Sequence, residues 1–80
     1  MIHYLFVLAA ALFFNRAMVL RQMGIIDDAV KDMGSAIQLA PGTASLYVFR
    51  GNMLASIQRY TEAMIDYHSA LLLDDNIKLK

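Results

Sequence analysis

The chain has 80 residues, a formal net charge of zero and no cysteine. This length allows one small domain, near the size at which a single core becomes marginal. A neutral chain without a basic stripe disfavours nucleic acid as a partner, and the lack of cysteine excludes disulfides and thiolate metal sites. Hydrophobic residues make up 59% of the chain, above the usual level of about 45–50%. We therefore expect helices packed on more than one face, or a surface that other protein covers.

Residues 1–14 are apolar apart from His3 and Tyr4. A membrane-spanning helix needs about 20 such residues, and Asn15 and Arg16 end this run early. A secretory signal would begin with basic residues, and none precedes Ile2. We interpret residues 1–9 as an apolar N-terminal extension of the first helix, packing where an earlier structural unit would sit, with a targeting segment as the alternative. The expected location is cytoplasmic, without a membrane partner.

The first two helices are predicted between Leu12 and Pro41. Apolar residues three or four positions apart give each helix one apolar face, formed by Phe13, Ala17 and Leu20 in the first helix and by Ala29, Met33, Ala36 and Leu39 in the second. We expect Gly24 to end the first helix in the left-handed conformation. Asp27 and Asp28 are predicted to provide the N-cap and a favourable charge for the second helix, which Pro41-Gly42 ends.

Two further helices are predicted after this turn. Thr43 or Ser45 can cap the third helix, whose inner face carries Tyr47, Gly51 and Leu54. The polar residues Gln58 and Arg59 separate it from the fourth helix, for which Thr61 is the predicted N-cap. The fourth helix repeats the apolar face of the second with Ala63, Tyr67, Ala70 and Leu73. No stretch alternates with the period of two that is typical of a strand, so the predicted fold class is all-α.

The second pair of helices repeats the first at an interval of 34 residues, without a gap. Tyr47, Arg50, Gly51, Leu54, Ala63, Asp66, Tyr67, Ser69, Ala70 and Leu73 fall on Phe13, Arg16, Ala17, Leu20, Ala29, Asp32, Met33, Ser35, Ala36 and Leu39. A repeat of this length indicates stacked helical hairpins. The small residues Ala17 and Ala29, like Gly51 and Ala63, fall where the two helices of a hairpin would cross most closely.

Both units resemble the tetratricopeptide repeat, which has aromatic, small and proline residues at fixed positions. The signature reads Phe13, Arg16-Ala17, Leu20, Ala29, Met33, Ala36 and Pro41 in the first unit, and Tyr47, Arg50-Gly51, Leu54, Ala63, Tyr67 and Ala70 in the second, with Asp75 where proline would stand. The resemblance implies two tandem antiparallel hairpins in a short right-handed solenoid. The expected boundaries are residues 1–9 for the extension, 10–43 and 44–77 for the two repeats, and 78–80 for a tail or the start of a third repeat. Because stacked repeats usually number three or more, we expect a fragment or short isoform of a longer array, or a chain that self-associates.

Arginine replaces the family's usual leucine in both units. This resembles a variant of the repeat that has an Asn-Arg-Gly-like triplet in its first helix, and the triplets here are Asn15-Arg16-Ala17 and Phe49-Arg50-Gly51. We expect Arg16 and Arg50 to form partly buried, bidentate ion pairs with Asp32 and Asp66. The pairs could form within a unit or across from Asp32 to Arg50. The alternative is that the arginines face an acidic ligand.

The resemblance also implies a binding surface. In tetratricopeptide arrays the first helix of each hairpin lines a concave face that takes extended or helical peptides. This carries over to Phe14, Asn15, Met18, Arg21 and Gln22 in the first unit and to Val48, Phe49, Asn52, Ala55 and Ser56 in the second. Because Phe14, Met18, Val48 and Phe49 are apolar, we expect an apolar peptide or an amphipathic helix as the partner rather than a terminal carboxylate. The alternative is that these residues pack on residues 1–8 or on another copy of the chain.

The sequence does not point to an enzyme. His3 and His68 are far apart, and no nucleophile, acid and base occur together. Asp74, Asp75 and Asn76 resemble a helix-ending turn rather than a calcium loop, and the glycines lack the order of a phosphate loop. We therefore predict no catalytic residue, no cofactor and no metal. The predicted function is a protein–protein interaction scaffold, with a structural segment of a longer solenoid or a self-associating helical unit as the alternative.

Overall fold

The computed structural model describes residues 2–79 and contains four α-helices: α1 Ile2–Gln22, α2 Ile26–Leu39, α3 Ala44–Ser56 and α4 Tyr60–Leu73. Residues 2–79 form no strand, and the predicted all-α class is confirmed. Helix α1 packs against α2 and α3 packs against α4, which gives two hairpins. Helix α2 also packs against α3, so the hairpins stack in chain order.

Helix α1 is longer than the others because the apolar extension continues it without a break. The side chains of residues 2–8 are exposed, whereas Ala10 and Ala17 are buried in one cluster with Ala29 and Met33 of α2. By length and composition α1 is able to cross a membrane. Core helices and N-terminal signal sequences have the same property, so length and composition alone do not assign α1 to a bilayer.

Small residues lie where the helices of each hairpin meet. Ala17 and Ala29 are fully buried in the first hairpin, and Gly51 and Ala63 are buried in the second. A Cβ atom at Gly51 would lie 2.6 Å from Cε1 of Tyr67, so the ring fills the space that a side chain at position 51 would need. Met33 occupies the position of Tyr67 in the first hairpin, where it is buried in one cluster with Ala17.

The predicted left-handed end of α1 is confirmed at Gly24, which has a φ of 82°. The N–H groups of Gly24 and Ile25 donate to the carbonyls of Arg21 and Leu20, at 3.0 and 2.9 Å, which is the Schellman arrangement. Helix α3 ends in the same way, although the residue in the left-handed position there is Gln58, with a φ of 66°. The polar residue had suggested a break between helices but not this conformation.

Two of the predicted N-caps are wrong. Helix α2 begins at Ile26, so Ile25 occupies the N-cap position, and Asp27 and Asp28 lie in the first turn instead. Helix α4 begins at Tyr60, so Arg59 rather than Thr61 is its N-cap residue. The reason is the left-handed turn, which leaves a single residue before the next helix. Thr43 does occupy the N-cap position of α3, but its side chain makes no capping hydrogen bond.

Replacing Gln58 by glycine is expected to stabilise the fold by roughly 0.5–1 kcal/mol, because glycine adopts a positive φ without the steric cost of a Cβ atom. The matched control is Gly24→Ala, which places a Cβ atom at the equivalent position of the first unit. Apart from Gly24 itself and its two chain neighbours, no described residue has an atom within 4 Å of that Cβ position, so the destabilising effect of Gly24→Ala would come from the backbone alone. Urea unfolding followed by circular dichroism measures both. Equal midpoints for Gln58→Gly and the parent chain would contradict the left-handed turn.

Candidate functional site

A shallow cavity of about 260 Å³ lies between the first helices of the two hairpins. Its walls are formed by Val7, Ala10, Ala11 and Phe14 of α1, by Ser45, Leu46 and Phe49 of α3, and by Ala40 and Thr43 of the connection before α3. The rings of Phe14 and Phe49 meet edge to face with their centroids 5.3 Å apart, a favourable aromatic geometry. Among residues 2–79, no charged side chain lines the cavity, so it offers an apolar surface with two hydroxyl groups at its edge.

The polar residues predicted for the concave face are partly used within the chain. The Tyr67 hydroxyl donates to Oδ1 of Asn52 at 2.6 Å, and the Ser56 hydroxyl donates to the carbonyl of Met53 at 2.6 Å. Asn15 and Gln22 are exposed, and Arg21 is half-buried. Met18 packs, half-buried, on the same core cluster as Phe14 and Phe49. The structure therefore brings the two phenylalanines together, and the side chains of Asn15 and Gln22 are exposed.

Val48 does not join this surface. Its side chain is buried in a separate cluster with Ala44 of α3 and Ala70 of α4, against which Tyr47 and Ile77 pack. Adjacent residues on a helix point about 100° apart, so Val48 faces α4 while Phe49 faces the cavity. The apolar part of the surface thus consists of Phe14 and Phe49 with Val7 and the alanines of α1. Val7 belongs to the N-terminal extension, a contribution that the repeat pattern does not reveal.

One bidentate ion pair joins the two helices of each hairpin, and both of these pairs form within a unit rather than between units. Arg16 donates from Nε and Nη2 to the carboxylate of Asp32 at 2.6 and 2.8 Å. Arg50 makes the same two bonds to Asp66, both at 2.8 Å. The two carboxylates are buried, so the arginine supplies both compensation for their charge and their hydrogen bonds. The pairs tie the first helix of each hairpin to the second.

An aromatic ring supports the arginine in both hairpins. The guanidinium carbon of Arg16 lies 5.6 Å from the ring centroid of Phe13, and that of Arg50 lies 5.9 Å from the ring centroid of Tyr47. These distances suit cation–π attraction. The aromatic residue lies three positions before the arginine, one helical turn away. The three-residue spacing is visible in the sequence, but it does not by itself predict that the ring packs on the ion pair.

The Arg16 guanidinium lowers the pKa of Asp32 below its ordinary value, chiefly through its hydrogen bonds and also through its charge. A carboxyl group with a lower pKa in the folded state stabilises the fold above its unfolded pKa of about 4, and this contribution is lost as the pH falls through the folded value. We expect urea midpoints to fall as the pH drops below about 4. Asp32→Asn should weaken that dependence. An identical pH profile in this variant would contradict the pairing.

A second set of charges lies at the outer edge of the stack. Arg59 donates two hydrogen bonds to Glu62, at 2.8 and 2.6 Å, and its Nη1 is 3.9 Å from the carboxylate of Asp27 in the first hairpin. All three side chains are exposed, so these contacts contribute little to stability. Within residues 2–79, no three His, Cys, Asp or Glu side chains lie close enough together to hold a metal ion.

No family model matches the chain. It is 31% identical over 68 residues to mitochondrial import receptor subunit TOM34 of Homo sapiens, and this match covers 85% of this chain and 22% of that protein. It is also 39% identical over 64 residues to tetratricopeptide repeat protein 13 of Homo sapiens, and this match covers 80% of this chain and 7% of that protein. The chain thus spans a small part of both relatives. Together with two stacked helical hairpins related by an ungapped 34-residue repeat, these matches support a tetratricopeptide-repeat-like family for the chain.

Proposed function

We propose that the chain binds an apolar peptide or one face of an amphipathic helix in the Phe14–Phe49 cavity, the surface defined by Val7, Ala11, Phe14, Ser45 and Phe49. In general terms, the similarity to these relatives indicates a role in protein–protein interaction. The observation that carries the finer proposal is the aromatic pair, whose rings border an uncharged cavity between the first helices of the two hairpins.

The size and chemistry of the cavity favour a peptide side chain. Its volume of about 260 Å³ is below the range of about 300–1,000 Å³ that is typical of small-molecule sites. Apolar anchors of an amphipathic helix, spaced three or four residues apart, dock into grooves of this kind. The hydroxyl groups of Thr43 and Ser45 could bond the polar edge of such a peptide. Within the part of the chain that the structure describes, the lining of the cavity offers no cation to a terminal carboxylate.

Ser45→Glu is expected to weaken binding at least tenfold, which corresponds to about 1.4 kcal/mol, because it places a charge at the edge of an apolar site. The probe is a fluorescein-labelled amphipathic peptide of leucine, glutamine and lysine, about five helical turns long, followed by fluorescence polarisation. Ser45 is exposed and is the second residue of α3, where a carboxylate is favourable for the helix.

Thr61→Glu is the matched control, since Thr61 is exposed at the second position of α4 and lies outside the cavity. This variant should bind the peptide like the parent chain. Equal affinity of the Ser45→Glu variant and the parent chain would contradict the proposal. So would a parent chain that does not bind the peptide.

A further inference from the structure

The junction between the two hairpins shows how one unit covers the next. Leu46 and Met53 of α3 are 7% and 0% exposed, in one buried cluster with Met33, Ala36 and Ile37 of α2. Arg50 lies between Leu46 and Met53 on the same side of α3, and its Nη1 is 3.6 Å from where a Cβ atom of Gly34 would be. A ridge of α3 formed by residues 46, 50 and 53 is thus covered by α2.

The equivalent ridge of the first hairpin, on α1, is exposed to solvent. The residues 34 positions earlier are Leu12, Arg16 and Val19, and we call them the head ridge. Leu12 is 72% exposed and Val19 is 55% exposed, although their counterparts in α3 are buried. The side chain of Arg16 is 64% exposed, compared with 27% for Arg50. Helix α1 therefore carries the same kind of contact residues as α3, but among residues 2–79 no helix covers them.

The surface of α2 that covers the α3 ridge also has an equivalent on α4, and there it is exposed to solvent. Val30, Gly34 and Ile37 of α2 lie on the side that faces α3, where Val30 borders a pocket with Arg50, and Ile37 is buried. Their counterparts 34 positions later are Met64, His68 and Leu71 of α4, which we call the tail ridge. Met64 is 65% exposed and Leu71 is 38% exposed. Two of the three residues are thus apolar and accessible, as docking against a head ridge would require.

We propose that two copies of this chain associate head to tail, with the tail ridge of one copy on the head ridge of the next, in the geometry of the junction between α2 and α3. The proposal is independent of the peptide cavity. Its template is the interface that the chain already forms internally. Such an interface joins different surfaces on the two partners, so each added copy presents a new free ridge and the assembly can grow.

Charge does not oppose this contact. Arg16 is bonded to Asp32 in the same way that Arg50 is bonded to Asp66. Covering the head ridge would therefore bury a paired guanidinium rather than a lone one, which is far less costly. The internal junction shows that this arrangement is compatible with close packing, because the side chain of Arg50 already lies against α2.

One position of the tail ridge departs from the template. His68 stands where α2 has Gly34, and a Cβ atom at Gly34 would lie 3.6 Å from Nη1 of Arg50 across the internal junction. The imidazole must turn aside from Arg16 of the next copy to let the helices approach. Removing the imidazole with His68→Ala, which keeps the helix propensity of α4, should relieve this obstruction and tighten association severalfold. This expectation is specific to the stacked arrangement, because a histidine outside the contact would have no such effect.

The decisive experiment combines two variants in analytical ultracentrifugation. Leu12→Asp places a charge on the head ridge, and Met64→Asp places one on the tail ridge. Both positions are largely exposed, so the fold should remain intact by circular dichroism. The parent chain should form concentration-dependent oligomers, and each variant alone should be monomeric. An equimolar mixture should form dimers and nothing larger, because one intact head meets one intact tail.

Other occupants of the ridges give different results. A symmetric dimer through α1 would be abolished by Leu12→Asp and unaffected by Met64→Asp. In the equimolar mixture, the two variants would then form no heterodimer with each other. A lipid surface would leave all forms monomeric, with the parent chain floating on phosphatidylcholine vesicles. A parent chain that stays monomeric without vesicles, or a His68→Ala variant that associates more weakly, would also overturn the proposal.

Discussion

Replacing Arg50 by leucine is expected to lower the free energy of unfolding by about 3 kcal/mol, the effect of breaking a buried ion pair by removing one partner. The side chain of Asp66 is 3% exposed and accepts both of its hydrogen bonds from Arg50. Leucine leaves this carboxylate buried without its two donors. Because stability of a domain this small is limited, the variant should unfold at a much lower urea concentration, measured by circular dichroism.

Two further variants identify the cause. Arg16→Leu should have a smaller effect, since the side chain of Arg16 is mostly exposed and Asp32 lies closer to solvent than Asp66 does. The double variant Arg50→Leu/Asp66→Leu should recover much of the loss, because two apolar residues leave no unpaired charge. If Arg50→Leu unfolded like the parent chain but no longer bound the peptide, the arginine would serve a ligand rather than the fold.

Gly51→Ala is expected to destabilise the fold by about 2 kcal/mol, the cost of inserting a methyl group into a well-packed site. The new Cβ atom would lie 2.6 and 2.9 Å from Cε1 and Cδ1 of Tyr67. The ring cannot easily move, because its hydroxyl is bonded to Asn52 at 2.6 Å. In an uncrowded helix, replacing glycine by alanine would stabilise the fold by about 0.5–1 kcal/mol. Destabilisation by Gly51→Ala would therefore show that position 51 is in close contact with the Tyr67 ring.

Gly34→Ala is the matched control within α2. A Cβ atom there would lie 3.6 Å from Nη1 of Arg50, an ordinary contact distance, so this variant should be slightly more stable than the parent chain. The double variant Gly51→Ala/Tyr67→Met copies the pair that Ala17 and Met33 form in the first hairpin and should restore most of the loss. Destabilisation by Gly34→Ala equal to that of Gly51→Ala would point to a general intolerance of the helices instead.

The features that the repeat pattern encodes could be predicted from the sequence. The spacing of Ala17, Ala29, Gly51 and Ala63 predicted where the helices meet, because only small residues fit at a close crossing. Gly24 predicted the left-handed end of α1, because glycine is the residue that most readily takes that conformation. These predictions depend on local chemistry that repeats in both units, so each unit supports the other.

Features that depend on the exact rotation of a helix could not be predicted in this way. Val48 and Phe49 are adjacent in the sequence, but Val48 packs toward α4 and Phe49 packs toward α1. Only the packing of α3 between these helices shows which residue faces which helix. The role of Gln58 was hidden because its side chain does not favour a positive φ, and the turn geometry imposes it. The contribution of Val7 to the cavity follows from the continuity of α1 through the extension, which lies outside the repeat pattern.

The most direct test of the proposed binding surface is to map the contacts of the amphipathic peptide on the chain by NMR chemical-shift perturbation. The cavity predicts the largest changes at Val7, Phe14, Ser45 and Phe49, with little change at Met64 or other residues of the tail ridge. Changes concentrated on the tail ridge instead would contradict the cavity as the peptide site.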